Sequence, residues 1–101
     1  MEKEIKEITQ QQIDEWKAKW GSVYLVEIEE KKAYLRKPDR KALSAAAVVG
    51  KNDPIKYNEI LLTNCWLGGD EVIKTDDSYF LGISGKLSEI IEIKEAELKK
   101  L

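Results

Sequence analysis

The apolar residues change their spacing twice along the chain, and this limits the folds open to it. Ile13, Trp16 and Trp20 recur at spacings of 3 and 4, which places them on one face of a helix. Val23, Tyr24, Leu25, Val26 and Ile28 then form a run of mostly β-branched and aromatic residues with Glu27 set among them, the pattern of a half-buried strand. Ala33 to Lys37 answers this run across the polar stretch Glu29-Glu30-Lys31-Lys32, and the simplest structure for the pair is an antiparallel hairpin. From Asp39 onward the helical spacing returns. The expected fold class is therefore α+β: an N-terminal helix, a β-hairpin, then three helices packed on one face of the hairpin.

Local punctuation sets the expected boundaries. Thr9, followed three residues later by Gln12, has the form of a capping box, and Gly21 stops the first helix. Pro38 ends the second strand because it has no N–H to give to a ladder. Asp39 caps a helix whose narrow face, Ala42, Leu43, Ala46, Ala47 and Val49, is small enough for close approach of another backbone. Gly50 ends it. Asn52-Asp53-Pro54 puts a capping acid before a proline at the first helical position, where the missing N–H costs nothing. The helix that follows is expected to run to about Leu67 and stop at Gly68-Gly69. It carries apolar residues around so much of its circumference that it reads as the central helix of the core. Gly68 to Lys74 reads as a loop. Thr75-Asp76-Asp77-Ser78 opens the last helix, with carboxylates where the helix dipole favours them. Its stripe is Phe80, Ile83, Leu87, Ile90, Ile91 and Leu98, and Lys99-Lys100 sit at its far end. Gly82 and Gly85 each cost a helix interior about 1 kcal/mol against alanine, so each is expected to face a close neighbour or mark a bend.

A length of 101 residues fits one domain over 1–101, with residues 1–8, rich in Glu and Lys, expected to fray. No apolar run approaches the roughly 20 residues that span a bilayer, and residues 1–7 alternate charges where a signal peptide is apolar. The expectation is a cytoplasmic protein without a membrane partner. Chemistry is constrained further by an absence of histidine and a single cysteine, Cys65. Among Leu61, Leu62, Trp66 and Leu67, that thiol reads as buried and inert, without a base to activate it. Asp70, Glu71, Asp76 and Asp77 fail the calcium-loop spacing and read as helix N-terminal residues. Gly68-Gly69-Asp70 lacks the lysine of a phosphate-binding loop. The chain is expected to be non-enzymatic, with no cofactor and no metal.

Binding remains. Residues 31–56 hold 8 basic and 2 acidic groups, while the ends of the chain are acidic. If these cations share a face they can follow a phosphate backbone, with Tyr34 available to stack on a base. An overall pI near 5.3 weighs against nucleic acid as the main partner. Tryptophan is enriched at binding hot spots. Trp66 reads as core, whereas Trp16 and Trp20 lie on one stripe of a terminal helix that can dock on its own domain or on a partner. The candidate partner-binding residues are Trp16, Trp20, Tyr34, Arg36, Arg40 and Lys41.

From Leu35 onward several strings resemble a known family. Arg36-Lys37-Pro38 closes a hairpin and Lys51-Asn52-Asp53-Pro54 opens a helix. Cys65-Trp66-Leu67-Gly68-Gly69-Asp70 ends that helix, and Tyr79-Phe80-Leu81-Gly82 opens a charged C-terminal one. Together they resemble a small bacteriophage or prophage protein, nearest to the tail assembly chaperones of long-tailed phages. The resemblance implies a non-enzymatic protein in the bacterial host cell. It would bind tape measure protein or tail tube subunits, keep them soluble until the tail is built, and associate with itself as a homo-oligomer. Such a chaperone needs an apolar groove with a charged rim, which the small-residue helix around Ala45 to Val49 is expected to supply, and the short hairpin is expected to leave an edge exposed to a partner strand.

Overall fold

The computed structural model describes residues 8–91 and 94–101. Helix α1 spans Gln10–Trp20 and starts where the sequence places it: the Thr9 hydroxyl accepts the Gln12 N–H at 3.1 Å. Strands β1 (Val23–Ile28) and β2 (Lys31–Arg36) pair antiparallel, with Ile28 opposite Lys31. The hairpin turn is thus only Glu29-Glu30, and the two lysines expected in it belong to β2. So tight a turn needs a left-handed residue, here Glu29 at φ 57°. Its carboxylate accepts the Tyr79 hydroxyl at 3.1 Å, which offsets part of that strain.

Helix α2 (Arg40–Val49) is capped by Asp39, which accepts the Ala42 N–H at 2.8 Å. Helix α3 (Pro54–Cys65) is capped by Asp53, which accepts from Ile55 and Lys56. The two helices pack closely. Ala42 and Ala46 are buried, and a methyl group at Gly50 would lie 2.5 Å from Tyr57 Cα. Ala47 and Val49, counted on the same small face by their spacing, are exposed.

The expected run of α3 to Leu67 is not observed. The helix ends at Cys65, and Trp66–Gly69 forms a third strand, β3, antiparallel to β2 in the order β1-β2-β3. The glycines expected to stop a helix instead let two strands close. A methyl group at Gly69 would lie 2.3 Å from the Lys32 carbonyl oxygen, and the residue's φ of 134° is one that few side chains tolerate. The expected loop after it contains the short helix α4 (Val72–Thr75). Helix α5 (Asp77–Leu87) is capped by Asp76, and a single 3₁₀ turn, Ser88–Ile90, follows it.

The last helix is therefore shorter than its apolar stripe suggested, and Leu98 is wholly exposed. Strand β1 offers roughly 20 Å of sheet for a helix to cover, and Phe80 to Ile90 already spans about 15 Å at 1.5 Å per residue. Beyond Ile90 a helix would overrun the surface that rewards its burial.

The sheet has two covered faces. Ala33 and Leu35 turn towards Leu61, Leu62, Cys65, Ile73, Ile83 and Leu87, which with Leu35 are the largest fully buried side chains. Full burial of a leucine or isoleucine contributes roughly 1.5–3 kcal/mol each, so this side carries most of the stability. Tyr34 and Arg36 alternate to the opposite face, where α1 rests on them. No residue of α1 is fully buried.

Candidate protein-binding groove

Backbone groups along an antiparallel strand alternate between its two neighbours. Lys32 turns both of its groups to the β3 side: its N–H donates to the Asp70 carboxylate, and its carbonyl accepts the Asp70 N–H, each at 2.8 Å. Ala33, one residue on, therefore faces β1 and bonds Val26. Alternation points the groups of Tyr24, Val26 and Ile28 inward to β2, and those of Val23, Leu25 and Glu27 out to the edge. No described strand pairs with that edge.

Beside it runs an open groove of about 520 Å³, bounded by residues 24–28 of β1 and by Gly82, Lys86, Glu89 and Ile90. Tyr24, Val26 and Ile28 turn towards it at alternate positions, and all three pack against the core. Helix α5 borders β1 at Gly82, where an added methyl group would make an ordinary contact with Ile28 Cδ1 at 3.5 Å. Lys86 and Glu89 pair with each other at 3.4 Å on the rim. The shape is that of a slot for one more strand, with an apolar floor and a charged wall. It is not the groove expected around Ala45 to Val49, whose small residues Ala42 and Ala46 are already taken up by α3.

Four of the six candidate partner-binding residues meet on the other face. The Trp16 and Tyr34 rings are 5.8 Å apart at 44°. The Arg36 guanidinium lies 4.5 Å from the Trp20 ring centre, with Lys19 at 5.0 Å. Arg36 also pairs with Asp39 at 3.6 Å. This cluster docks α1 on its own domain. Arg40 and Lys41, exposed in the first turn of α2, stand outside it. Trp66 is half-buried against the core, with Lys74 at 4.6 Å from its ring.

The cations of residues 31–56 fall at three places in the chain, and Arg36, Lys37, Arg40 and Lys41 stand together about the β2–α2 junction. Lys31 and Lys32 sit at one end of β2 and Arg36 at the other, roughly 17 Å away for five residue steps, while Lys51 and Lys56 flank the α2–α3 turn. The acidic residues are likewise separately engaged. Asp70 extends the β2–β3 ladder, Glu71 pairs with Lys74 at 2.9 Å, and Asp76 caps α5. Among the described residues no group of three potential metal ligands is gathered.

Burial pushes the Cys65 thiol up to about 11, against a weaker opposite pull from Arg36. The Ala42 N–H holds the Asp39 carboxyl below its usual range, as a cap should be held. Neither group faces the groove. Among the described residues no helix is long and apolar enough to cross a membrane.

Sequence reasoning anticipated an exposed edge but not its position. The available signal was the composition of β1, which carries no lysine or proline and one charge. No protein-family profile, curated protein or solved structure matches the chain.

Proposed function

We propose that the chain is a non-enzymatic protein-association module that accepts an extended polypeptide segment as a fourth strand beside β1. The edge of β1, with which no described strand pairs, along an apolar-floored groove carries this reading. An added strand would satisfy the outward groups of Val23, Leu25 and Glu27, and its alternate side chains would continue the layer formed by Tyr24, Val26 and Ile28. The resemblance to tail assembly chaperones supplies a partner class, tape measure protein or tail tube subunits, and a setting, the cytoplasm of a bacterial host. Nucleic-acid binding is less favoured because Arg36 is engaged by Trp20 and Asp39 and the chain as a whole is acidic, with a pI near 5.3.

Co-expression with the genes that neighbour this one tests the reading. A partner protein should co-purify with the natural chain and be lost with Leu25→Pro, which removes an outward N–H without touching the β1–β2 ladder. Retention of nucleic acid with steep salt dependence, and of no protein, would overturn it.

A further inference from the structure

We infer that β1 of a second copy of this chain is the strand that fills the groove, paired about a two-fold axis at Leu25 so that two three-stranded sheets become one of six. This rests on the reading of the β1 edge as a strand acceptor.

The register is self-complementary. The outward groups belong to Val23, Leu25 and Glu27, which are symmetric about Leu25. In antiparallel self-pairing Leu25 meets Leu25 of the second copy, and Val23 meets Glu27. All outward groups of both copies then find partners and none is left over. The contact is isologous, so it closes at two copies and uses up both β1 edges, leaving only the two β3 edges at the ends of the sheet.

The side chains agree with that register. On the groove face Tyr24 comes opposite Val26 of the second copy, in the pair type where side chains approach most closely. On the α1 face Leu25, 48% exposed in the single chain, covers its own counterpart. Glu27, the one charged residue of the strand, falls opposite Val23, whose neighbour across β2 is Arg36. The Glu27 backbone thus lies about 10 Å, two strand spacings, from that of Arg36 on the same face of the sheet. The two Glu27 side chains stay roughly 14 Å apart along the sheet, beyond the screening length at physiological salt.

The two sheet edges differ in a way that singles out β1. Strand β3 is short, carries a register shift, contains Gly68-Gly69 and is closed off by Asp70. Such features blunt an edge. Strand β1 has six residues in unbroken register and none of those guards. A second β1 is also already extended, so it avoids the ordering cost that an unfolded segment pays on binding. A client segment would enter by exchange with the second copy.

Light scattering after size exclusion tests this on the full chain. The expected mass is twice 11.6 kDa. Leu25→Pro, Leu25→Lys and Leu25→Glu should each be monomeric with an unchanged far-ultraviolet spectrum. Mixing the lysine and glutamate variants should restore the dimer. A dimer that survives all three substitutions, or a natural chain that stays monomeric up to its solubility limit, overturns the inference. If that monomer still loses its co-expressed partner on Leu25→Pro, the strand-acceptor reading stands without self-pairing. If Leu25→Pro alters neither mass nor partner capture, both fall.

Discussion

Asp70 and Lys32 hold each other twice, 38 residues apart: carboxylate to N–H and N–H to carbonyl, each at 2.8 Å. The aspartate side chain thereby supplies the bond that the next strand residue would have made, and it ends β3 in the same step. Hydrogen bonds to a charged acceptor contribute about 1.5–3 kcal/mol, less where water competes. Asp70→Ala is expected to lower stability in urea by about 1–2 kcal/mol, and Asp70→Asn to recover much of it. Glu71→Ala, which removes only a surface ion pair, should stay within about 0.5 kcal/mol. Equal effects at the two positions would remove Asp70 from its structural role.

Two glycines should respond to alanine in opposite directions. Gly69→Ala forces a methyl group against the Lys32 carbonyl at a positive φ, and a loss of about 3 kcal/mol is expected from strain and clash together. Gly85 lies within α5 with nothing within 4 Å of the added carbon. Gly85→Ala should therefore gain up to about 1 kcal/mol through helix propensity, raising Tm by roughly 4–8 °C for a domain of this size. A calorimetric scan of both variants decides it, and a lower Tm for Gly85→Ala would contradict the open space beside that helix.

The part of the fold legible in the sequence is the part set by local chemistry. Thr9, Asp39, Asp53 and Asp76 each precede a helix, and each accepts the backbone bonds of a cap. The switch to period 2 located the hairpin. What escaped depends on contacts distant in sequence. Trp66-Leu67-Gly68-Gly69 has the composition of a helix stop and becomes a strand only because β2 and Lys32 lie alongside. The spacing of Ile90, Ile91 and Leu98 continues a helix that runs out of sheet to cover. Four of the six candidate contact residues, Trp16, Trp20, Tyr34 and Arg36, meet each other across α1 and β2, a juxtaposition that their separation in sequence does not reveal. The groove was unreadable because it arises where α5 happens to border an edge with which no described strand pairs.

The Cys65 thiol gives a pH signature. Its folded pKa, raised to about 11 by burial, lies above the ordinary value of 9.0. The unfolded chain therefore loses this proton first as pH rises, and between about pH 9 and 11 the thiol favours unfolding increasingly. Below pH 9 it contributes no slope. Urea stability measured across that interval should fall more steeply for the natural chain than for Cys65→Ala, although the alanine variant starts lower because of the cavity it leaves. At pH 8 an aromatic disulfide reagent should leave the folded thiol unmodified and react once urea unfolds the chain. Fast reaction without denaturant would show that the thiol is accessible.

Helix α1 makes the most local test, because nothing in it is fully buried and two ring contacts secure it. Trp16 covers Tyr34 and also Gly68, where an added methyl group would lie 3.1 Å from the indole. Trp20, at the last turn, holds Arg36 under its ring. The first contact is apolar and spreads over β2 and β3, so Trp16→Ala should cost about 1–2 kcal/mol, above the 0.5–1.5 kcal/mol of an aromatic pair alone. The second is a more exposed cation–π pair, and Trp20→Ala should cost about 0.5–1 kcal/mol. Because the core lies on the other face of the sheet, either loss should loosen α1 before the domain. Hydrogen exchange would then show the α1 amides opening faster while those around Leu61 and Leu62 in α3 keep their protection. If α1 in Trp16→Ala exchanges as slowly as in the natural chain, the helix is held by something other than these rings. If α3 loosens in step with it, the two faces of the sheet fold as one unit.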